Sequence, residues 1–180
     1  MFFEPMKIRA CTSDDISTLS LIGAATVLES FAGLLPGPAL LAHCHKNHTP
    51  TAYADFLSQP TTFAWLAEVD PAVGAGPAPI GYAMLTAPDF PAELVHANDL
   101  ELKRIYAFSR FHGTGVGPAL LEAAVERARK LGARRLLLGV HRENARALSF
   151  YARNGFVEIG QRAFHLGPEI FDDPVLALTL

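Results

Sequence analysis

Apolar and polar residues first alternate along MKIRACT (Met6 to Thr12), the period of a short strand. Ser13-Asp14-Asp15 then offers side-chain oxygens for a helix N-cap, and the apolar run behind it predicts a helix to about Ser30. Leu35 to Pro50 reads as a looser connection, followed by a short helix over Pro50 to Leu57. TTFAWLAEV and PIGYAMLTA flank the turn-rich DPAVGAGPAP and read as an antiparallel hairpin. A longer strand covers Leu100 to Phe108. From Gly117 the period changes. Leu120, Leu121, Ala124, Val125, Ala128 and Leu131 form one helical face, Glu122, Glu126, Arg127, Arg129 and Lys130 the other, and Gly132 ends the run. Arg135 to Val140 is an apolar strand, Asn144 opens a helix that stops at Asn154-Gly155, and FVEIGQRAF and PVLALTL supply two terminal strands. The order β, α, α, β, β, β, α, β, α, β, β mixes hairpins with a strand-helix-strand crossover, so the class is α+β with a mixed sheet.

With 180 residues, 50% of them hydrophobic, and no long linker, the chain reads as one domain over residues 1–180 that buries a core without disulfides or a structural metal. A net charge of −3 gives no global field for nucleic acid or an anionic membrane. Cys11 and Cys44 lie far apart, in no metal or disulfide spacing, which fits a reducing, cytoplasmic compartment. Glu4 and Pro5 interrupt any export signal. The apolar stretch Leu19 to Leu35 carries Ser20, Thr26, Glu29 and Ser30 and stops at Pro36-Gly37-Pro38, so it reads as a buried or amphipathic helix rather than a membrane span.

The segment with chemical content is HGTGVG, comprising His112, Gly113, Thr114, Gly115, Val116 and Gly117, set between a strand and an amphipathic helix. Glycines at alternate positions free the backbone to turn its N–H groups toward an anion, and the helix N-terminus adds unpaired N–H groups and a positive dipole end. The alternative is a glycine-rich turn without a ligand. No Gly-Lys-Ser/Thr follows, and the glycine spacing misses the dinucleotide fingerprint. A Gly-x-Ser-x-Gly elbow and a His-Glu-x-x-His helix are also absent, which removes the usual anchors of a hydrolase.

LKRIYAFSRFHGTGVGPALLEAAVERA followed by LLLGVHRENARALSFYARNGFVEIG resembles the acetyl-CoA-binding core, here about residues 100–156, of the GNAT N-acetyltransferase superfamily. One signature of that family, Gln/Arg-x-x-Gly-x-Gly/Ala, falls on His112, Gly115 and Gly117. The second falls on Asn144, Ala147, Tyr151, Gly155 and Phe156. The resemblance implies a mixed, mostly antiparallel central sheet flanked by helices, and transfer of an acetyl group from acetyl-CoA to a primary amine of a small molecule or protein. It implies that backbone groups of Ile105, Tyr106 and Ala107 hold the pantetheine arm and acetyl carbonyl, while His112 to Gly117 cradle the pyrophosphate. Asn144 is either the N-cap of its helix or a contact to a pantetheine amide, or both. Tyr151 would face the thioester sulfur. His112 replaces the usual Gln or Arg, and Pro118 removes an N–H from the cradle.

An amine is protonated at neutral pH and must lose that proton before it attacks. Glu101 is the candidate base, through water, against the alternative of a strand-end surface carboxylate; Tyr106 and His141 are weaker candidates. The run HCHKNH places His43, Cys44, His45 and His48 in one loop, either as metal ligands of a regulatory protein or as residues lining the acceptor pocket. Arg127, Arg129, Lys130, Arg134 and Arg135 read as a solvated helix end, with a minor role near the nucleotide phosphate as the alternative. Within the superfamily the C-terminal half is most similar to bacterial spermidine/spermine-type enzymes. Such a substrate would suit an acidic pocket built from Glu93, Asp99, Glu101, Glu169, Asp172 and Asp173. The resemblance also implies a homodimer. A non-catalytic acyl-CoA-binding module is the other reading that keeps the glycine cradle.

Overall fold

A computed structural model describes residues 6–70 and 76–180. The elements run β1 (Lys7–Ala10), α1 (Ile16–Phe31), α2 (Gly37–Asn47), α3 (Pro50–Leu57), β2 (Phe63–Val69), β3 (Ala78–Thr86), β4 (Asp99–Ala107), α4 (Val116–Lys130), β5 (Arg135–Gly139), α5 (Ala145–Arg153), β6 (Val157–Leu166) and β7 (Glu169–Thr179). The strands form one sheet in the order β1-β2-β3-β4-β5-β7-β6. Neighbouring strands are antiparallel except β4 and β5, which the α4 crossover makes parallel. The expected α+β class and mixed sheet are therefore observed. The Glu4 and Pro5 reading, and the middle of the β2–β3 turn at 71–75, lie outside the described residues.

The helices cover both faces of the sheet. On β2, Ala64 and Leu66 pack with Leu19 of α1 and Tyr53 of α3, while Trp65, Ala67 and Val69 join the cluster that holds Leu120, Leu121, Ala124 and Ala128 of α4. Burial on both faces explains why β2 and β3 read as continuous apolar runs rather than alternating ones. No helix among the described residues is long and apolar enough to cross a membrane.

Three local readings need correction. Leu35 to Pro50 is not a loose connection, because it contains α2. Pro36-Gly37-Pro38 looks like a breaker, but Pro38 sits in the first helical turn, where a missing N–H costs little. The apolar face of α2 is too thin to stand out, with only Ala39, Leu40 and Cys44 buried. Ser13–Asp15 forms a 3-10 turn leading into α1 and is itself capped by Thr12, whose side chain accepts from Asp14 N–H at 3.3 Å while the Asp15 carboxylate accepts from Thr12 N–H at 2.8 Å; Asp15 holds the N-cap position of α1 without a side-chain cap bond. Finally, the last hairpin extends to Leu166 and back from Glu169, closed by Gly167 at φ +60.

Candidate active site

Strands β4 and β5 are paired only at Asp99–Arg135, Leu100–Leu136 and Glu101–Leu137, and then part. Arg135 clamps the closed end, with its guanidinium Nη2 2.6 Å from a fully buried Asp99 carboxylate. Beyond the clamp, the side of β4 turned away from β3 has no strand partner, and a cavity of about 260 Å³ fills the opening. Ile105, Tyr106 and Ala107 line it together with His112, Gly113, Val116, Gly117, Asn144 and Tyr151. Most of the residues singled out in the sequence thus come together in one place. Thr114 and Gly115 form the outer turn of the glycine loop and do not border this cavity.

Within that loop only two glycines are required by backbone conformation. Gly113 and Gly115 have φ of +80 and +95, and no atom lies within 4 Å of an added Cβ, so the backbone and not crowding excludes a side chain. Gly117 differs: it lies in the first turn of α4, and a Cβ there would make only ordinary contact with the Phe150 ring at 3.5 Å. Thr114 closes the turn by donating its hydroxyl to the Phe111 carbonyl at 2.7 Å. The resulting concavity ends on the free N–H groups of α4 and has the open space a phosphate needs. The His112 ring reaches back, its Nε2 donating to the Ala107 carbonyl at 3.0 Å. Of the expected trio of backbone positions, Ala107 therefore has its carbonyl already engaged. Arg146 of α5 lies against the same imidazole. Burial and then the Arg146 charge lower the pKa of His112.

Asn144 is the N-cap of α5: its Oδ1 accepts from Ala147 N–H at 3.1 Å. Tyr151 follows on α5, packed edge-on between Phe150 and Phe156 with ring centroids 5.4 Å from each. Its hydroxyl makes no hydrogen bond among the described residues. Burial, with Tyr106 nearby, pushes its pKa well up against the opposing Arg146 charge, so the phenol keeps its proton at neutral pH.

A second cavity of about 650 Å³ shares Phe31, Lys103, Arg104, Tyr106, Gly139 and His141 with the first. Glu101 borders it and is only 1% exposed. Its carboxylate accepts from Asp89 N–H at 2.9 Å and lies 3.4 Å from Lys103 Nζ. Burial raises its pKa, opposed chiefly by Lys103. The surface-carboxylate reading of Glu101 is therefore set aside. His141 is held by Asp173, Nδ1 to Oδ1 3.1 Å, and Asp173 also accepts from Arg142 N–H at 3.2 Å. The other ring nitrogen, Nε2, is buried without a partner. Sequence reading missed this pair because 32 positions separate its members and only the β5–β7 ladder brings them together.

The segment HCHKNH is not a loop. His43, Cys44 and His45 lie on α2 and His48 caps its end. Cys44 is buried with Val27 and Leu40, and His45 is exposed. The rings of His43 and His48 stand 5.8 Å apart in the second cavity. The Tyr53 hydroxyl lies 3.1 Å from both Tyr82 Oη and His48 Nδ1, joining the three side chains in one buried hydrogen-bonded chain. Burial, with Arg104 and His43, lowers the His48 pKa to about 3. No group of three or more His, Cys, Asp or Glu side chains among the described residues is placed to hold a metal. Of the four, His43 and His48 line the second cavity, whereas Cys44 and His45 do not.

Two charged clusters are also corrected. Of the six acids expected to form one pocket, only Glu101 and Asp173 line the cavity, and both are engaged; Asp99 is spent on Arg135, and Glu93, Glu169 and Asp172 are exposed elsewhere. The basic cluster sits at the far end of α4, about 20 Å along the helix axis from the glycine loop. There Arg127 stacks on Phe63 at 3.9 Å and Arg135 forms the clamp.

Residues 32–156 match the acetyltransferase (GNAT) family model. Uncharacterized N-acetyltransferases of Mycobacterium tuberculosis and Mycobacterium bovis are 34% identical over 166 residues, covering 92% of this chain and 98% of theirs. The same fold is seen in a PaiA N-acetyltransferase of Thermoplasma acidophilum in complex with coenzyme A, with TM-score 0.76, 20% identity, and coverage of 98% of this chain and 100% of that one. A ribosomal-protein alanine N-acetyltransferase of Escherichia coli has TM-score 0.62 and 19% identity, covering 97% of this chain and 94% of that one. A parted β4–β5 pair, a glycine turn feeding a helix N-terminus, and a family match that spans all of them place this chain in the acetyltransferase (GNAT) family.

Proposed function

We propose that the protein transfers the acetyl group of acetyl-CoA to the nitrogen of a primary amine, on a small molecule or a protein. The observation that carries this reading is the shared cavity, in which the unpaired side of β4, the N-terminus of α4 and Tyr151 border one opening. The residues suit the coenzyme. The turns at Gly113 and Gly115 and the first N–H groups of α4 fit its pyrophosphate, while Ile105 and Tyr106 fit the amides of its pantetheine arm. Asn144 already caps α5 and has a second lone pair on Oδ1 for the arm. A fold relative is described as a complex with coenzyme A.

When bound, acetyl-CoA supplies an acetyl group activated as a thioester. Tyr151 then hydrogen-bonds the thioester sulfur, and the bond strengthens as charge gathers there. Full proton transfer from a tyrosine pushed above its usual ~10 to a thiolate near ~8.5 runs uphill, so the hydroxyl acts chiefly as a donor. The acceptor enters from the larger cavity and must shed a proton. Glu101 is proposed to draw it off through water, its basicity raised by burial. One observation favours a second base: His141 Nε2 has no partner and its residue borders both cavities, whereas Glu101 is held by Asp89 N–H and Lys103. Glu101→Gln and His141→Gln separate the two. The variant that loses the acidic limb of the kcat/KM–pH profile identifies the base.

The test is calorimetric titration with acetyl-CoA, then thiol release over a panel of small amines, spermidine, and peptides with free lysine or N-terminal amines. Saturable binding with release on one acceptor is expected. Binding without release on any acceptor would support a non-catalytic acyl-CoA-binding module, and absence of binding would overturn the reading.

A further inference from the structure

The larger cavity is bordered by two guanidinium groups, Arg104 and Arg162, that form no salt bridge among the described residues. Arg104, on β4, lies over the Tyr53 and Phe56 rings at 4.9 and 5.1 Å and donates one Nη2 hydrogen bond to the Asn47 carbonyl at 2.9 Å. Its Nη1 is buried with no acceptor. Arg162, on β6, reaches over the sheet to Gly139 of β5, where an added Cβ would stand 2.5 Å from the guanidinium. Phe90 and Phe164 flank it at 5.1 and 5.6 Å, and its Nε is also buried without an acceptor. Its cross-strand neighbour Asp173 is the natural counter-ion by register, yet that carboxylate serves His141 and the Arg142 N–H.

The remaining carboxylates of the cavity are equally committed. Asp89 pairs with Lys103 at 3.2 Å, and Glu101 is held by Asp89 N–H and Lys103. Neither arginine has an ion-pair partner among the described residues. Aromatic rings fix both groups in place, and both guanidinium groups border the cavity without a carboxylate in salt-bridge contact. Guanidinium forks match the geometry of carboxylate and phosphate oxygens.

The geometry points to an acceptor that carries an oxyanion beside its amine, an amino acid or an aminoalkyl phosphonate or phosphate, rather than a polycation. The anionic group is held by Arg162 and Arg104, and the amine is left toward the Glu101 and His141 side. This inference rests on the acetyltransferase reading and deepens it by naming the substrate class.

The experiment first titrates the protein with acetyl-CoA, then measures thiol release with the twenty L-amino acids, their amides, aminoalkyl phosphonates and spermidine. An acid or phosphonate is expected to exceed its matched uncharged amine by at least about tenfold in kcat/KM. In Arg162→Gln that ratio falls toward one, and Arg162→Lys keeps part of it; acetyl-CoA binding by both variants reports that they are folded. The class of the preferred anion, carboxylate or phosphonate, identifies the source of the oxyanion. With acetyl-CoA bound, equal or better turnover of amides or spermidine overturns the inference and leaves the acetyltransferase reading intact. Failure to acetylate any anionic amine also overturns it. Failure to bind acetyl-CoA defeats the underlying reading instead.

Discussion

At Tyr151 the ring and the hydroxyl do separate jobs, and substitution can divide them. Tyr151→Phe keeps the ring between Phe150 and Phe156 but removes the hydroxyl. The expected result is a fall in kcat of about 100-fold with acetyl-CoA affinity unchanged, read by thiol release and calorimetry. Gly115 is a conformational requirement at φ +95 with open space around it. Gly115→Ala is expected to cost about 1–2 kcal/mol in denaturant unfolding. Gly115→Asp adds a negative charge beside the proposed phosphate cradle and should abolish acetyl-CoA binding. Tyr151, Asn144 and the glycines were legible in the sequence because each acts within a few residues of its neighbours.

Between elements, the decisive feature is the short pairing of β4 with β5, pinned by Asp99 and Arg135. Burial raises the Asp99 pKa, but the Arg135 guanidinium and the His96 N–H outweigh it and hold the carboxyl below its usual range. A depressed native pKa means the clamp stabilises the fold above about pH 4 and is lost as pH falls through the native value. Asp99→Asn, which leaves Arg135 uncompensated, is expected to cost about 3–5 kcal/mol at pH 7. Its gap from wild type should narrow in melts below pH 4. Gly23 gives a prediction with the opposite sign from local propensity. Alanine in a helix interior normally stabilises by about 0.5–1 kcal/mol relative to glycine. At Gly23 of α1 a Cβ would lie 2.1 Å from the Tyr53 hydroxyl and 2.5 Å from His48 Nδ1, so Gly23→Ala should lower the unfolding midpoint. The sequence shows a helix over this stretch; it does not show that α3 packs tightly against it.

For the whole molecule, the proposed coenzyme site lies where β4 and β5, paired at only three positions, part beneath α4 and α5. A ligand that bridges β4, α4 and α5 binds only the folded state, so saturation at 100 times Kd should add about 2.7 kcal/mol. For a chain of this size that raises Tm by about 5–10 °C in scanning calorimetry. No shift at saturation would place the coenzyme elsewhere. The amino-acid sequence by itself determined the strands, four of the five helices, the glycine loop and the two signature segments, because these depend on periodicity, capping and local backbone freedom. Tertiary structure alone decided three things: that β4 and β5 part beyond Glu101, that the six scattered acids do not share a pocket, and that Arg104 and Arg162 face one cavity without a salt bridge. Each of these depends on strand register and on contacts between side chains distant in the chain, for which a single sequence carries no period.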